Sequence, residues 1–124
     1  MALSIKPYIE NKERIHLIGI GGVSMNSLGE LLLSRGVPVS GSDRLRTDVT
    51  ARLEALGAKI TYEHKPENVE GASLIVRTAA VHDDNPEIVR DHELGIPVME
   101  RAEAWGHLMR DYDNVVCLAG THGK

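Results

Sequence analysis

The stretch "RIHLIGIGGVSM", residues 14–25, decides the fold class of this chain. A β-rich apolar run leads through a glycine-rich turn into residues with the apolar spacing of an amphipathic helix. Glycine permits a tight turn and a close backbone approach to a ligand, while the N–H groups and dipole of a helix N-terminus favour negative charge. The stretch therefore predicts a strand, a phosphate-binding turn and a helix. The glycines of the turn are Gly19, Gly21 and Gly22.

The rest of the sequence repeats the order of strand and then helix. Helical spacing or capping residues predict helices that end at Gly36, Gly57 and Gly95, and a further helix over 101–110. This alternation, with short connections, predicts an α/β fold with a Rossmann-like, doubly wound parallel sheet in three layers. About five strands come first and one more follows residue 113. The apolar runs that predict strands are 14–20, 38–43, 58–63, 73–80, 96–99 and 114–120.

The composition is that of an ordinary globular domain. The 124 residues are 42% hydrophobic and 26% charged, and the net charge of -4 provides no basic surface for nucleic acid. No apolar run approaches the roughly 18 residues of a membrane span, and the N-terminus lacks the apolar segment of a secretory signal. We therefore expect a cytoplasmic protein with neither nucleic acid nor membrane as partner.

The cysteine and histidine content argues against a metal site. A single cysteine, Cys117, allows neither an internal disulfide nor a thiolate cluster and is expected to be buried. No two of the six histidines have a metal-ligand spacing beside carboxylates, so most are expected to be solvated. The segments "DRLRTD" and "DHE" are expected to be charged helix faces, and Trp105 to anchor the last helix to the sheet.

Two residues near the glycine-rich turn bear on the ligand. Asp43 ends the second predicted strand, where a carboxylate can accept hydrogen bonds from ribose hydroxyls. Ser24 replaces the third glycine of G-x-G-x-x-G, and its hydroxyl can cap the helix or contact a phosphate. A nucleotide diphosphate is the predicted ligand, and a plain polar turn at "GSDR" is the alternative. The pattern does not choose between NAD and another nucleotide.

The final residues, "GTHGK" (120–124), look like the start of a loop that holds ATP phosphates. The loop is incomplete, because the hydroxyl residue that binds magnesium and the following helix are both missing. Leu118 also occupies the position of the first glycine of the usual motif. We expect that the sequence is cut within this motif.

Six segments in this order resemble the N-terminal domain of the Mur ligases. They are "IHLIGIGGVSM", "VSGSD", "GAKI", "DNPEIV", "GIPVMERAE" and "AGTHGK". The likeness runs from about residue 14 to residue 124, and it favours the ligases that add L-alanine to UDP-N-acetylmuramate. The sister ligases that recycle tripeptide have a differently composed first loop.

The resemblance implies one part of a three-domain enzyme of peptidoglycan synthesis. In that family ATP, assisted by magnesium, phosphorylates the lactyl carboxylate of UDP-N-acetylmuramate, and the amine of L-alanine attacks the acyl phosphate. Residues 1–112 would form the UDP-sugar-binding domain and residues 113–124 the beginning of the ATPase domain. The chain alone would not be catalytic.

The resemblance also implies site residues. Gly19, Gly21, Gly22 and the N–H groups of Val23 and Ser24 would contact the UDP diphosphate. Ser42 and Asp43 would face the uridine, and Arg101 would reach a phosphate or pair with Glu100 or Glu103. His64, Thr78, Ala79 and Ala80 would lie on loops at the same sheet edge. The incomplete ATP loop would comprise Gly120, Thr121, His122, Gly123 and Lys124. The chain departs from the family at Ser24, usually glycine, and in "TAA", where serines are common.

Two other functions remain open from the residues alone. One is the NAD-binding domain of an oxidoreductase, and the other is a self-contained nucleotide-sensing module. A separate expectation concerns residues 113–124, whose apolar strand would lack its partners. It would pack on the domain's own edge or pair with another copy, giving a homo-oligomer.

Overall fold

The computed structural model describes residues 5–78 and 81–108 of the chain. Five parallel strands form one sheet in the order β3-β2-β1-β4-β5. The predicted α/β, Rossmann-like fold is therefore confirmed. The strands are β1 (Ile15–Ile18), β2 (Val39–Ser42), β3 (Lys59–Thr61), β4 (Leu74–Arg77) and β5 (Val98–Glu100).

Helices connect the strands and cover both faces of the sheet. They are α1 (Lys6–Glu10), α2 (Val23–Ser34), α3 (Asp48–Leu56), α4 (Pro86–Leu94) and α5 (residues 101–108), with a 3-10 turn at Pro66–Val69. Gly36, Gly57 and Gly95 follow α2, α3 and α4 with positive φ, as predicted from the sequence. The short α1 and the 3-10 turn were not predicted, because neither is long enough to show apolar periodicity.

The core lies on both faces of the sheet, since side chains at successive strand positions point to opposite faces. On one face Leu17 and Val76 pack with residues of α2, α3 and α5. On the other face Ile18 and Ile75 pack with Ile88 of α4. The described residues thus form the predicted three layers.

The topology creates a crevice beside β1. The chain passes from β1 through α2 to β2 on one side, and it returns from β3 to β4 on the other side. Open α/β sheets bind ligands at such a switch point, outside the carboxyl ends of the strands. The glycine-rich turn follows β1 directly and lies at this edge.

Several predictions fall outside the described residues. They concern the strand at 114–120, Cys117, Ala79 and Ala80, the ATP loop at 120–124, and the domain boundary at 112. Within residues 5–78 and 81–108, no helix is long and apolar enough to cross a membrane.

Candidate functional site

Three adjoining depressions surround Gly19 at the carboxyl edge of the sheet, and together we call them the carboxyl-edge groove. The section beside β4 has a volume of 360 Å³, that at the start of α2 has 490 Å³, and that beside β2 has 430 Å³. The groove brings together nine of the predicted site residues. They are Gly19, Gly21, Gly22, Val23, Ser24, Asp43, His64, Thr78 and Arg101.

The backbone N–H groups of the glycine-rich turn are engaged within the protein. Gly19 has a φ of +80° and donates to the Ser42 carbonyl oxygen at 2.8 Å. The N–H of Gly22 donates to the Gly19 carbonyl oxygen at 3.0 Å, and that of Gly21 donates to Asp43 Oδ2 at 2.7 Å. The glycines thus shape the turn and hold it to the end of β2 through these hydrogen bonds.

The N-terminus of α2 faces the groove without a side-chain cap. Its N-cap residue is Gly22, so Ser24 does not cap the helix, which was one of its predicted roles. The first N–H groups of a helix have no partner within it. Those of Val23 and Ser24 therefore remain the donors that this end of α2 can offer to a ligand. Trp105 packs against the core and donates from Nε1 to the Ser24 carbonyl oxygen at 3.4 Å, which joins α5 to α2.

Asp43 links the groove to the end of β2. Its Oδ1 accepts the N–H of Arg44 at 2.7 Å, and its Oδ2 accepts that of Gly21 at the same distance. Each carboxylate oxygen retains a further lone pair. Asp43 lines two sections of the groove and can still accept a hydrogen bond from a ligand hydroxyl.

Beneath the groove lies a cluster of polar side chains, which we call the Glu87 cluster. The Glu87 carboxylate is fully buried and accepts from His16 Nε2 at 2.6 Å and from Ser42 Oγ at 3.0 Å through Oε1. Its Oε2 accepts from His64 Nδ1 at 2.8 Å and from Asn68 Nδ2 at 3.4 Å. Ser42 is also fully buried, so its side chain lies under the groove and does not face the predicted uridine site.

The Glu87 cluster was not predicted from the sequence. His16 is 1% exposed and is therefore an exception to the expectation that most of the histidines are solvated. Polar side chains at alternate positions of two apolar strands, His16 in β1 with Ser40 and Ser42 in β2, are the only sequence pattern that hinted at it. Glu87 lies in the first turn of α4, where acidic residues are common, and its N–H donates to the side chain of the N-cap residue Asn85 at 2.9 Å.

The hydrogen bonds assign one proton position in the cluster. Because the ionised Glu87 carboxylate can only accept, His16 carries a proton on Nε2 and donates it to Glu87. Arg14 Nε donates to Ser40 Oγ at 3.0 Å, and Ser40 Oγ lies 2.9 Å from His16 Nδ1, where the hydroxyl can donate or accept. Burial alone would raise the pKa of Glu87, but the hydrogen bonds from His16, Ser42 and His64 outweigh it and hold that pKa below its ordinary value.

Arg101 and Arg77 bring positive charge to this edge. Arg101 lines the section at the start of α2, and its buried Nε has no hydrogen-bond partner among the described residues. Arg77, at the end of β4, pairs with Asp83 at 2.8 Å and donates to the Val81 carbonyl oxygen. The buried Nε of Arg77 also lacks a partner among the described residues, but of the two arginines it is Arg101 that lines the groove.

Asp91 in α4 corrects another prediction. The segment "DHE" was expected to be a charged helix face, but Asp91 is fully buried and both its carboxylate oxygens lack a hydrogen-bond partner in the described structure. Burial raises the pKa of Asp91, although His92 and Arg77 partly oppose that effect. No group of three or more metal-ligating side chains suited to a metal ion occurs within the described ranges.

Comparisons with known proteins agree with this geometry. The family model of the Mur ligase catalytic domain matches residues 14–113. A UDP-N-acetylmuramate–L-alanine ligase of Clostridium novyi is 46% identical over 115 residues, which are 93% of this chain and 25% of the relative. The chain thus spans about a quarter of the length of the curated relatives it matches.

Two solved structures share the fold. The UDP-N-acetylmuramate–alanine ligase of Thermotoga maritima has a TM-score of 0.72 and 37% identity, over 82% of this chain and 23% of that one. The UDP-N-acetylmuramate:L-alanyl-gamma-D-glutamyl-meso-diaminopimelate ligase of Neisseria meningitides has a TM-score of 0.66 and 25% identity, over 72% and 28%. These matches do not favour the NAD-binding alternative. Because the family model covers most of its length, the chain belongs to the Mur ligase family.

Proposed function

We propose that this chain is the part of an ATP-dependent ligase that binds UDP-N-acetylmuramate, to which the enzyme then adds L-alanine. The observation that carries the proposal is the convergence, at one sheet edge, of the open end of α2, the Asp43 carboxylate and Arg101. The similarity to L-alanine-adding ligases supports this choice of substrate over other nucleotides.

The diphosphate would lie at the start of α2. The N–H groups of Val23 and Ser24, which have no side-chain cap among the described residues, and the positive end of the helix dipole suit an anion. Arg101 lines the same section and offers a charge-assisted hydrogen bond. Positive φ at Gly19 lets the chain turn away after β1, so that the ligand can approach the end of the strand closely.

The uridine would lie in the sections of the groove beside β2 and β4, both of which are lined by Asp43. The remaining lone pairs of Asp43 can accept ribose hydroxyls, and Thr78 lines the opposite wall. Leu45, whose side chain is 71% exposed, provides an apolar surface in the β2 section. Ala79 belongs to the same proposed contact loop, as the family resemblance implies.

This chain would bind and orient the substrate and leave the bond-forming steps to the rest of the enzyme. ATP and magnesium would be held by a completed loop that begins at residues 120–124, and L-alanine by a further domain. The proposed location is the cytoplasm, because the reaction consumes ATP and a UDP-activated sugar.

Titration calorimetry on the 124-residue chain tests the proposal with UDP and NAD as ligands. We expect saturable heat with UDP and none with NAD. We also expect Arg101→Gln to weaken UDP binding about tenfold, the equivalent of one charge-assisted hydrogen bond. Arg52→Gln is the matched control, since Arg52 is exposed on α3 and pairs with Glu30 away from the groove. Binding of NAD without binding of UDP would overturn the proposal.

A further inference from the structure

We propose that Glu87 is a positioning residue for the ligand: it holds the Nδ1–H of His64, so that the Nε2–H of the protonated ring points to an anionic phosphate group in the groove. This inference rests on the proposed function for the identity of the anion. It assigns a binding role to a side chain that does not itself line the groove.

Buried neighbours hold the ring of His64 in place. His64 follows β3, in a segment without regular structure, and its side chain is 25% exposed. The hydrogen bonds that fix its ring use Nδ1, which lies 2.8 Å from Glu87 Oε2 and 3.3 Å from Ser42 Oγ. The ring also lines the β4 section of the groove. Its orientation therefore depends on two partners that are both fully buried.

The hydrogen-bond acceptors around His64 determine which ring nitrogen is available to a ligand. The ionised carboxylate of Glu87 can only accept hydrogen bonds. Ser42 has one proton and gives it to Glu87 Oε1 at 3.0 Å, so towards His64 it can only accept. Both neighbours of Nδ1 are acceptors, and Nδ1 must carry a proton in the neutral ring as well as in the charged ring. Nε2 is consequently the ring nitrogen that remains available to a ligand.

The cluster supports Glu87 from the opposite side. His16 Nε2 donates to Glu87 at 2.6 Å, and its Nδ1 contacts Ser40 Oγ, which accepts from Arg14 Nε. Four donors thus hold the carboxylate, from β1, β2, the loop after β3 and the 3-10 turn. Because these hydrogen bonds already fix the Glu87 carboxylate, it needs little rearrangement to orient the His64 ring.

Other charged groups face His64 from the elements around it. Asp43 and Arg44 line the same section after β2, and His82 and Asp84 line it after β4. The neighbouring Glu63 and Lys65 pair with each other at 2.8 Å. His82 is the other histidine among these residues, and a His82→Asn variant separates its contribution to binding.

The first test needs no ligand. Nitrogen-15 NMR of the histidine rings in the 124-residue chain reports which nitrogen is protonated when the ring is neutral. We expect neutral His64 to show the Nδ1–H form. The Nε2–H form for neutral His64 would overturn the inference, whether or not UDP binds, so this failure is distinct from a failure of the proposed function.

The second test measures binding against pH. UDP-N-acetylglucosamine is a suitable probe, because its diphosphate diester keeps the same charge between about pH 5.5 and pH 8.5, the range in which histidine titrates. We expect the affinity to fall as pH rises, and His64→Asn to remove most of this dependence. An unchanged pH profile in His64→Asn, measured beside His82→Asn, would contradict the inference.

The third test addresses Glu87 itself. Glu87→Gln replaces two acceptor oxygens by one, so either His16 or His64 loses its partner. We expect affinity at low pH to fall about tenfold and the NMR form of His64 to change, while Glu93→Gln, an exposed site on the same helix, changes neither. If Glu87→Gln does not fold, Ser42→Ala can be used, because it removes the second partner of His64 Nδ1. The positioning role of Glu87 would be refuted if Ser42→Ala changed neither the NMR form of His64 nor the binding, and if His64 of the parent chain were in the Nε2–H form.

Discussion

The backbone N–H of Gly21 donates to Oδ2 of Asp43 across 2.7 Å, and a Cβ atom on Gly21 would lie only 2.6 Å from the same oxygen. The turn after β1 and the carboxylate after β2 are thus held together by a contact that requires glycine. This contact fixes where Asp43 stands in the carboxyl-edge groove.

Gly21→Ala is expected to weaken UDP binding by about tenfold, because the new methyl group would displace the Asp43 carboxylate. The loss of unfolding free energy should be about 1 kcal/mol, at the low end of overpacking costs, since a side chain can move. Titration calorimetry and urea denaturation measure the two effects. Binding equal to that of the parent chain would show that the placement of Asp43 does not matter to the ligand.

Gly41→Ala is expected to lower the free energy of unfolding by about 1 to 3 kcal/mol. A Cβ atom on Gly41 would lie 2.6 Å from Ile20 Cδ1 and 2.8 Å from the backbone oxygen of Leu17, which cannot move without disturbing β1. Urea denaturation checks this prediction. Gly106→Ala is the control, because nothing lies within 4 Å of its added Cβ and alanine favours the helical conformation of α5. Equal losses in the two variants would contradict the packing explanation.

Asp91→Asn is expected to stabilise the protein at neutral pH. The pKa of Asp91 is raised in the folded state, so its contribution to stability is fully present below its ordinary pKa of 3.8 and is lost as pH rises through the folded pKa. Asparagine cannot ionise and escapes this loss. Urea unfolding across this pH range should show the two proteins converging in acid and separating towards neutrality. A constant difference at all pH values would mean that ionisation of Asp91 has no part in it.

Glu87 should make the opposite contribution to the pH dependence. Its pKa is lowered in the folded state, so the stability that it provides is present above its ordinary pKa of 4.5 and is lost as pH falls through the folded pKa. The free energy of unfolding of Glu87→Gln should lie below that of the parent chain at neutral pH, by about 1 to 3 kcal/mol for a disrupted buried hydrogen-bond network. The gap should narrow in acid, with Glu93→Gln as the control. A gap that widens in acid would refute the assigned sign.

Much of the fold could be predicted because apolar periodicity and the glycines that end helices are local properties of the sequence. The order of strands and helices, and the glycines at 36, 57 and 95 that follow three of the helices, can be recognised within windows of a few residues. The strands proved shorter than the apolar runs. The first strand, for example, was predicted over 14–20 but ends at Ile18, since Gly19 already adopts a positive φ.

The candidate site was predictable in part. Residues that follow strands meet at one edge of a parallel sheet, so the grouping of Gly19, Asp43, His64 and Thr78 follows from the fold class. What each side chain does there did not follow. Whether the Ser42 side chain is buried, for example, depends on the face of β2 on which it lies.

By itself, the sequence determined the α/β class, the glycine-rich turn between β1 and α2 and the family resemblance, because each depends on residues that are near one another in the chain. The tertiary structure alone decided that the N–H of Gly21 is engaged by Asp43 and that Asp91 is buried. It also decided that Glu87 joins His16 to His64, although 71 residues separate it from His16. Such contacts are set by sheet order and helix placement, and no local pattern encodes the partner of a buried charge.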